Sequence, residues 1–156
     1  METNIGISQK NRQSVSMELS KLLADEFLLY TKTRNAHWNV EGSDFHAMHL
    51  FFESQYEQLD EIMDSVAERI RAIGHYAPAT LKSYLKLTHL SEYESDANTS
   101  SDFIKELLSD HESIIEFIRG KIGPFADTFK DAGTSDFITS LMETHEKMAW
   151  MLRSHL

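Results

Sequence analysis

The most regular pattern in the chain runs from Phe52 to Ile73. Phe52, Tyr56, Leu59, Met63, Val66, Ile70 and Ile73 recur at intervals of 4, 3, 4, 3, 4 and 3 residues. Such alternation draws one stripe along an α-helix, so a long helix is expected from Asp44 to about Ile73, stopped by Gly74. Upstream, the stretch from about Ser14 to Val40 holds neither Gly nor Pro and reads as another helix. Its apolar residues, Val15, Leu19, Leu22, Leu23, Phe27, Leu28 and Leu29, cover more than one stripe. A helix of that kind is buried on two sides, by its own bundle and by a neighbour. Between the two, Gly42 suits the residue just past a helix end, and Ser43 or Asp44 suits the next N-cap.

Residues 75–100 interrupt the pattern with Pro78 and the polar run SEYESDANTSS, around a short amphipathic piece, Leu81–Leu87. They predict a long crossover with a small helix inside it. A third long helix starts near Ser101 and carries Phe103, Ile104, Leu107, Leu108, Ile114, Ile115 and Ile118. Gly120, Gly123 and Pro124 either kink it or end it. The fourth follows Gly133–Thr134 and reaches the C-terminus through Phe137, Ile138, Leu141, Met148, Trp150, Met151 and Leu152. Two long helices, a long connection and two more helices define an all-α fold. The expectation is an up-down four-helix bundle with one crossover, as in ferritin-like folds, read as a single domain over 1–156 with a short N-terminal extension, 1–13.

Composition narrows the class. With 156 residues, 41% hydrophobic and 26% charged, the chain can bury a core as one domain. No run approaches the ~18 apolar residues of a membrane span, and the polar start METNIGISQKNRQ lacks a signal-peptide core. Zero cysteines exclude disulfides, thiolate metal sites and cysteine nucleophiles. A cytoplasmic location is the expectation. The net charge, 15 − 25 = −10, repels phosphate backbones and anionic membranes, while eight histidines offer ligands for cations.

The spacing of those ligands carries the chemistry. With the turn at Ser43, His37 lies six residues before it and His49 six after, so an antiparallel hairpin sets them face to face. Glu53 follows His49 by one turn on the same side of the helix. Imidazole and carboxylate suit iron, zinc or manganese. Asp64 and Glu68 form a second pair one turn apart, 19 residues beyond His49 in the case of Glu68. At ~1.5 Å per residue the separation is roughly 28 Å, too far to share an ion. Opposite them on the first helix stand Leu22 and Glu18, which supply no imidazole. The two half-sites can meet only if a two-fold axis runs one copy of this helix antiparallel to another. Glu57, Asp60 and Glu61 read as a solvated face, and Trp38 alone reads as a packing aromatic.

At these residues the chain resembles the Dps family (DNA-binding protein from starved cells), the miniferritins. The matching text is NAHWNVEGSDFHAMH and EQLDEIMDSVAER, with a weaker echo in GTSDFITSLMETHEKMAWMLRSHL. The resemblance implies a four-helix-bundle subunit assembled into a hollow homo-dodecameric shell, with ferroxidase centres at two-fold dimer interfaces. By position, His37, His49, Asp64 and Glu68 match the family's iron ligands. Glu53 falls where the family often has Asp, one methylene shorter, and Trp38 matches the tryptophan beside the centre. The activity implied is oxidation of Fe(II) by hydrogen peroxide or dioxygen, with storage of Fe(III) mineral inside and protection from oxidative damage. A carboxylate such as Glu68 would bridge a di-iron pair so that peroxide takes one electron from each ion; zinc or manganese can occupy the same ligands. The family's acidic three-fold pores map to Asp131 and Asp136, and to Asp127, although Asp136 equally fits an ordinary acid of a helix's first turn.

The chain departs from the family name in charge. Before the first helix only Lys10 and Arg12 are basic, and the C-terminus stops shortly after Trp150. Twelve copies carry a formal charge on the order of −120, so DNA binding is not expected at neutral pH and physiological salt. A DNA-compacting or purely structural cage is the alternative, disfavoured by that charge and by the intact ligand set. A di-iron site inside one bundle needs Glu-x-x-His twice, which the chain lacks. His111-Glu112 and His145-Glu146 lack the second histidine of H-E-x-x-H, and no nucleotide-binding glycine motif occurs.

Overall fold

The computed structural model describes residues 3–92 and 96–156; Tyr93, Glu94 and Ser95 of the polar run and the first two residues of the N-terminal extension lie outside them. Among the described residues there are five α-helices and no strand: α1 Gln9–Asn39, α2 Phe45–Ala72, α3 Leu81–Leu87, α4 Ser100–Gly123 and α5 Ala132–Arg153. A single isolated bridge ties Glu41 to Thr99, setting the end of the crossover beside the α1–α2 turn. The four long helices enclose one core in which Leu19, Leu22, Leu29, Phe52, Leu59, Ile70, Leu107, Ile114, Ile118 and Leu152 are buried. The expected seam of α2 is its buried face at Phe52, Leu59, Val66, Ile70 and Ile73, whereas Tyr56 and Met63 are half-buried.

The first helix begins five residues earlier than its apolar pattern suggests. Ser8 accepts the Asn11 amide at 3.2 Å and caps it, and Arg12 turns inward. Arg12 Nη1 donates to the Ile73 carbonyl at 3.1 Å, satisfying an acceptor at the end of α2, and Nε donates to the Ile7 carbonyl of the N-terminal segment at 3.2 Å. The extension therefore closes over the bundle end from residue 8 onward. The second cover on α1 comes from its own chain: Phe27 stacks on Tyr84 of α3 at 4.5 Å. Asp25 accepts from Thr88 Oγ1 at 2.7 Å and from the His89 amide at 2.6 Å.

The Gly–Pro segment both ends a helix and extends it. After Gly123 the chain makes a π-helical turn, Pro124–Thr128, because proline has no N–H and its own carbonyl takes the Phe129 amide five residues on, at 3.0 Å. The last helix starts at Ala132, not after Thr134, since Asp131 caps it by accepting the Thr134 amide at 2.9 Å. Asp44 holds the N-cap position of α2 without a capping bond; its carboxylate accepts Ser100 Oγ at 2.6 Å instead.

Candidate metal centre

The α1–α2 turn does what the spacing requires. Val40 ends α1 in extended geometry and Gly42, at φ +129°, reverses the chain in a conformation that only glycine adopts freely. His37 and His49 are thereby stacked, with ring centroids 3.8 Å apart and planes 20° apart. Each ring bonds the other residue's backbone: His37 Nδ1 donates to the His49 carbonyl and His49 Nδ1 to the His37 carbonyl, both at 2.8 Å. A carbonyl only accepts, so both Nδ1 atoms carry hydrogen. In the neutral rings Nε2 is then the free lone pair, the tautomer a metal ion needs. His37 is buried and His49 half-buried.

An aromatic wall stands against this pair. Tyr56 meets His37 edge-on at 5.1 Å, and its hydroxyl donates to Glu53 Oε1 at 3.3 Å. The Arg34 guanidinium lies 4.0 Å over the Tyr56 ring and 5.6 Å from the Trp38 ring, while its Nε donates to Tyr30 Oη at 2.9 Å. Burial first, then the negative charge of Glu53, holds the Tyr56 phenol above its ordinary range, so it remains a donor toward that carboxylate. Trp38 itself is 66% exposed beside the centre, more than a packing aromatic inside one protomer accounts for. The supporting roles of Tyr56 and Arg34 escaped the sequence reading, which counted Tyr56 as seam; its place three residues after Glu53 was the available signal.

Asp64 and Glu68 are exposed on α2, well down the helix from the histidines. Among the described residues no three His, Asp or Glu side chains gather to hold a metal within one protomer. The structure thus brings His37, His49 and Glu53 to one end of the hairpin and leaves Asp64 and Glu68 apart from them.

The three pore candidates separate. Asp127 and Asp136 are exposed, but Asp131 is 1% exposed. Its carboxylate is committed to Thr134, through the amide and through Oγ1 at 2.6 Å, and to Arg69 Nη2 at 3.2 Å. Asp131 is therefore a helix cap joined to α2 by an ion pair rather than an acid presented to a channel.

The ferritin-like domain family is matched across residues 17–156, and the chain belongs to it. Its nearer affiliation shows in individual relatives. The chain is 35% identical to DNA protection during starvation protein 2 of Bacillus anthracis, across 94% of this chain and 98% of that protein. It is 40% identical to an uncharacterised low temperature-induced protein of Nostoc sp., across 98% of this chain and 86% of the relative. A crystal structure of a Dps protein from Vibrio cholerae, described as a member of a superfamily of ferritin-like diiron-carboxylate proteins, superposes with a TM-score of 0.90 at 28% identity. The match covers 99% of this chain and 96% of that one. Within the ferritin-like family the chain belongs to the Dps branch. No described helix is long and apolar enough to cross a membrane.

Proposed function

We propose that this protein is an iron-storage and detoxification shell of the Dps type, oxidising Fe(II) at centres shared between two protomers. In this reading His37, His49 and Glu53 of one protomer face Asp64 and Glu68 of its two-fold mate, and the substrate is a pair of ferrous ions. The observation that supports it most is the reciprocal bonding of the two imidazoles to each other's carbonyls. It holds both rings in the tautomer that leaves Nε2 free for a metal ion.

The chemistry follows from the donors. Carboxylate oxygens stabilise iron(III) more than iron(II), and neutral imidazoles accept both. Two ferrous ions held together give hydrogen peroxide one electron each, and with two protons the products are two ferric ions and two waters. No one-electron reduction of peroxide occurs, so no hydroxyl radical is released. Tyr56 orients the Glu53 carboxylate, which offsets the extra methylene relative to aspartate. Exposed Asp127 and Asp136 are the acids available to draw ferrous ions inward. The relatives' role in DNA protection comes to this chain as removal of iron and peroxide, since a charge of −10 per protomer opposes contact with phosphates.

Stopped-flow oxidation of Fe(II) by peroxide tests the reading. Replacing His37 and His49 together by Ala is expected to slow the fast phase by more than about tenfold, the loss of roughly 1.4 kcal/mol or more of transition-state stabilisation, while the assembly mass stays unchanged. Undiminished rates in an intact shell would remove the assignment.

A further inference from the structure

Three titratable side chains lie inside the bundle and take no part in the candidate metal centre. Glu26 of α1 and His145 of α5 are 0% exposed, and His111 of α4 is 1% exposed. His145 Nε2 lies 2.8 Å from Glu26 Oε1, and His145 Nδ1 lies 2.9 Å from His111 Nδ1. The second carboxylate oxygen, Glu26 Oε2, is buried without a hydrogen-bond partner. Apolar residues at these three positions would continue the core, so polar groups here call for an explanation.

Their arrangement says what they can hold. The donors stand in series, with the His145 ring between Glu26 and His111. A metal ion needs donors that converge on one point, and no such group of three exists among the described residues. A line of this kind suits a proton instead. The Glu26 carboxylate accepts from His145 Nε2–H. Across the nitrogen–nitrogen contact one Nδ1 carries hydrogen and the other offers its lone pair. A second proton there would set two N–H groups against each other and break the contact.

We propose that Glu26, His145 and His111 form an acid-sensitive latch, a line whose nitrogen–nitrogen contact has room for one proton, which joins α1, α4 and α5 at neutral pH and opens when a second proton enters that contact. The latch ties the α1–α2 hairpin to the α4–α5 hairpin through the middle of the bundle. Little else that is charged faces it. On α1, Asp25 turns away to Thr88 and His89 of the crossover. On α4, Asp110 is paired with Lys32. The buried positions of α2, from Met48 to Ile70, are apolar apart from uncharged Gln55, and α3 buries none of its residues. Glu26 is the one anion that the described contacts place on the line.

Burial first, then repulsion from His145, holds His111 well below the ordinary imidazole range. Above a pH of about 6.5 the folded and unfolded chains bind equal numbers of protons at this residue. Below it the unfolded chain binds up to one more, so acid favours opening, and the fall in the folding constant from this group alone approaches about tenfold per pH unit.

Denaturant titrations of the assembled protein at pH 7.5, 6.5 and 5.5 test the latch, comparing the wild type with His111→Gln, which keeps a polar partner for His145 but does not titrate. Between pH 6.5 and 5.5 the wild type is expected to lose about fivefold more of its folding constant than the variant. Parallel profiles would overturn the proposal. Should the variant fail to fold, nitrogen NMR of the wild-type protein labelled at histidine decides. One imidazole pair coupled through its hydrogen bond, with one of the two facing Nδ1 atoms still bare at pH 5.5, is expected. Absence of that pair, or two doubly protonated rings, would overturn it. Neither readout involves iron, so the latch and the metal centre stand or fall separately.

Discussion

Single side chains here take roles that their neighbours dictate, and the acids at the start of α5 show it. Asp131 and Asp136 look alike in the sequence, yet one caps a helix from inside the protein and the other is exposed. Asp131→Ala removes the acceptor for the Thr134 amide and the carboxylate that pairs with Arg69. It is expected to lower stability by about 1–3 kcal/mol, read as a fall in melting temperature. Asp136→Ala is expected to leave stability within about 0.5 kcal/mol while slowing uptake of ferrous iron into the shell. The converse pattern would reverse the two roles. The imidazole pair of the candidate centre was legible at this scale, because six residues on either side of a turn fix a pairing. The Nδ1–carbonyl bonds that set their tautomer were not, since they depend on the depth of each ring in the hairpin. Glu26, His111 and His145 were equally hidden: sequence spacing relates residues on one helix, and these stand on three.

At the scale of elements, the long periodic helices were legible and their ends less so. Apolar stripes report a buried face, whereas helix ends are set by capping groups such as Ser8 and Asp131 that the stripe does not include. Proline and glycine announced the break after α4 but not its form, because a π turn is decided by which carbonyl receives the Phe129 amide. The end of α2 shows how tightly one such terminus is built. Gly74 sits at φ +89°, and a Cβ there would come within 2.3 Å of Thr3 Oγ1 and 2.7 Å of Arg12 Nη1. Gly74→Ala must therefore strain the backbone and displace the arginine that satisfies the Ile73 carbonyl. A loss of about 1–3 kcal/mol is expected from thermal denaturation; an unchanged melting temperature would show that the N-terminal segment contributes nothing to this terminus.

The whole molecule is where the central claim lies, since α2 carries donors at both ends and no protomer can fold them together. Sequence spacing made that separation legible through helix rise alone, and in the proposed reading a second protomer closes the gap. Exposed Trp38 at 66%, Phe45 at 44% and Leu50 at 49% flank the histidine end, the kind of apolar rim that a second copy would cover. Complementation measures the claim directly. Protomers with His37→Ala and His49→Ala are co-expressed with protomers carrying Asp64→Ala and Glu68→Ala, each pair of changes inactivating the homogeneous shell. Random pairing across a two-fold axis makes half of the dimers mixed, and each mixed dimer restores one of its two centres, so about a quarter of the wild-type fast phase of Fe(II) oxidation should return. Recovery near that level is the result this account requires, and mixed shells as inactive as either parent would contradict it.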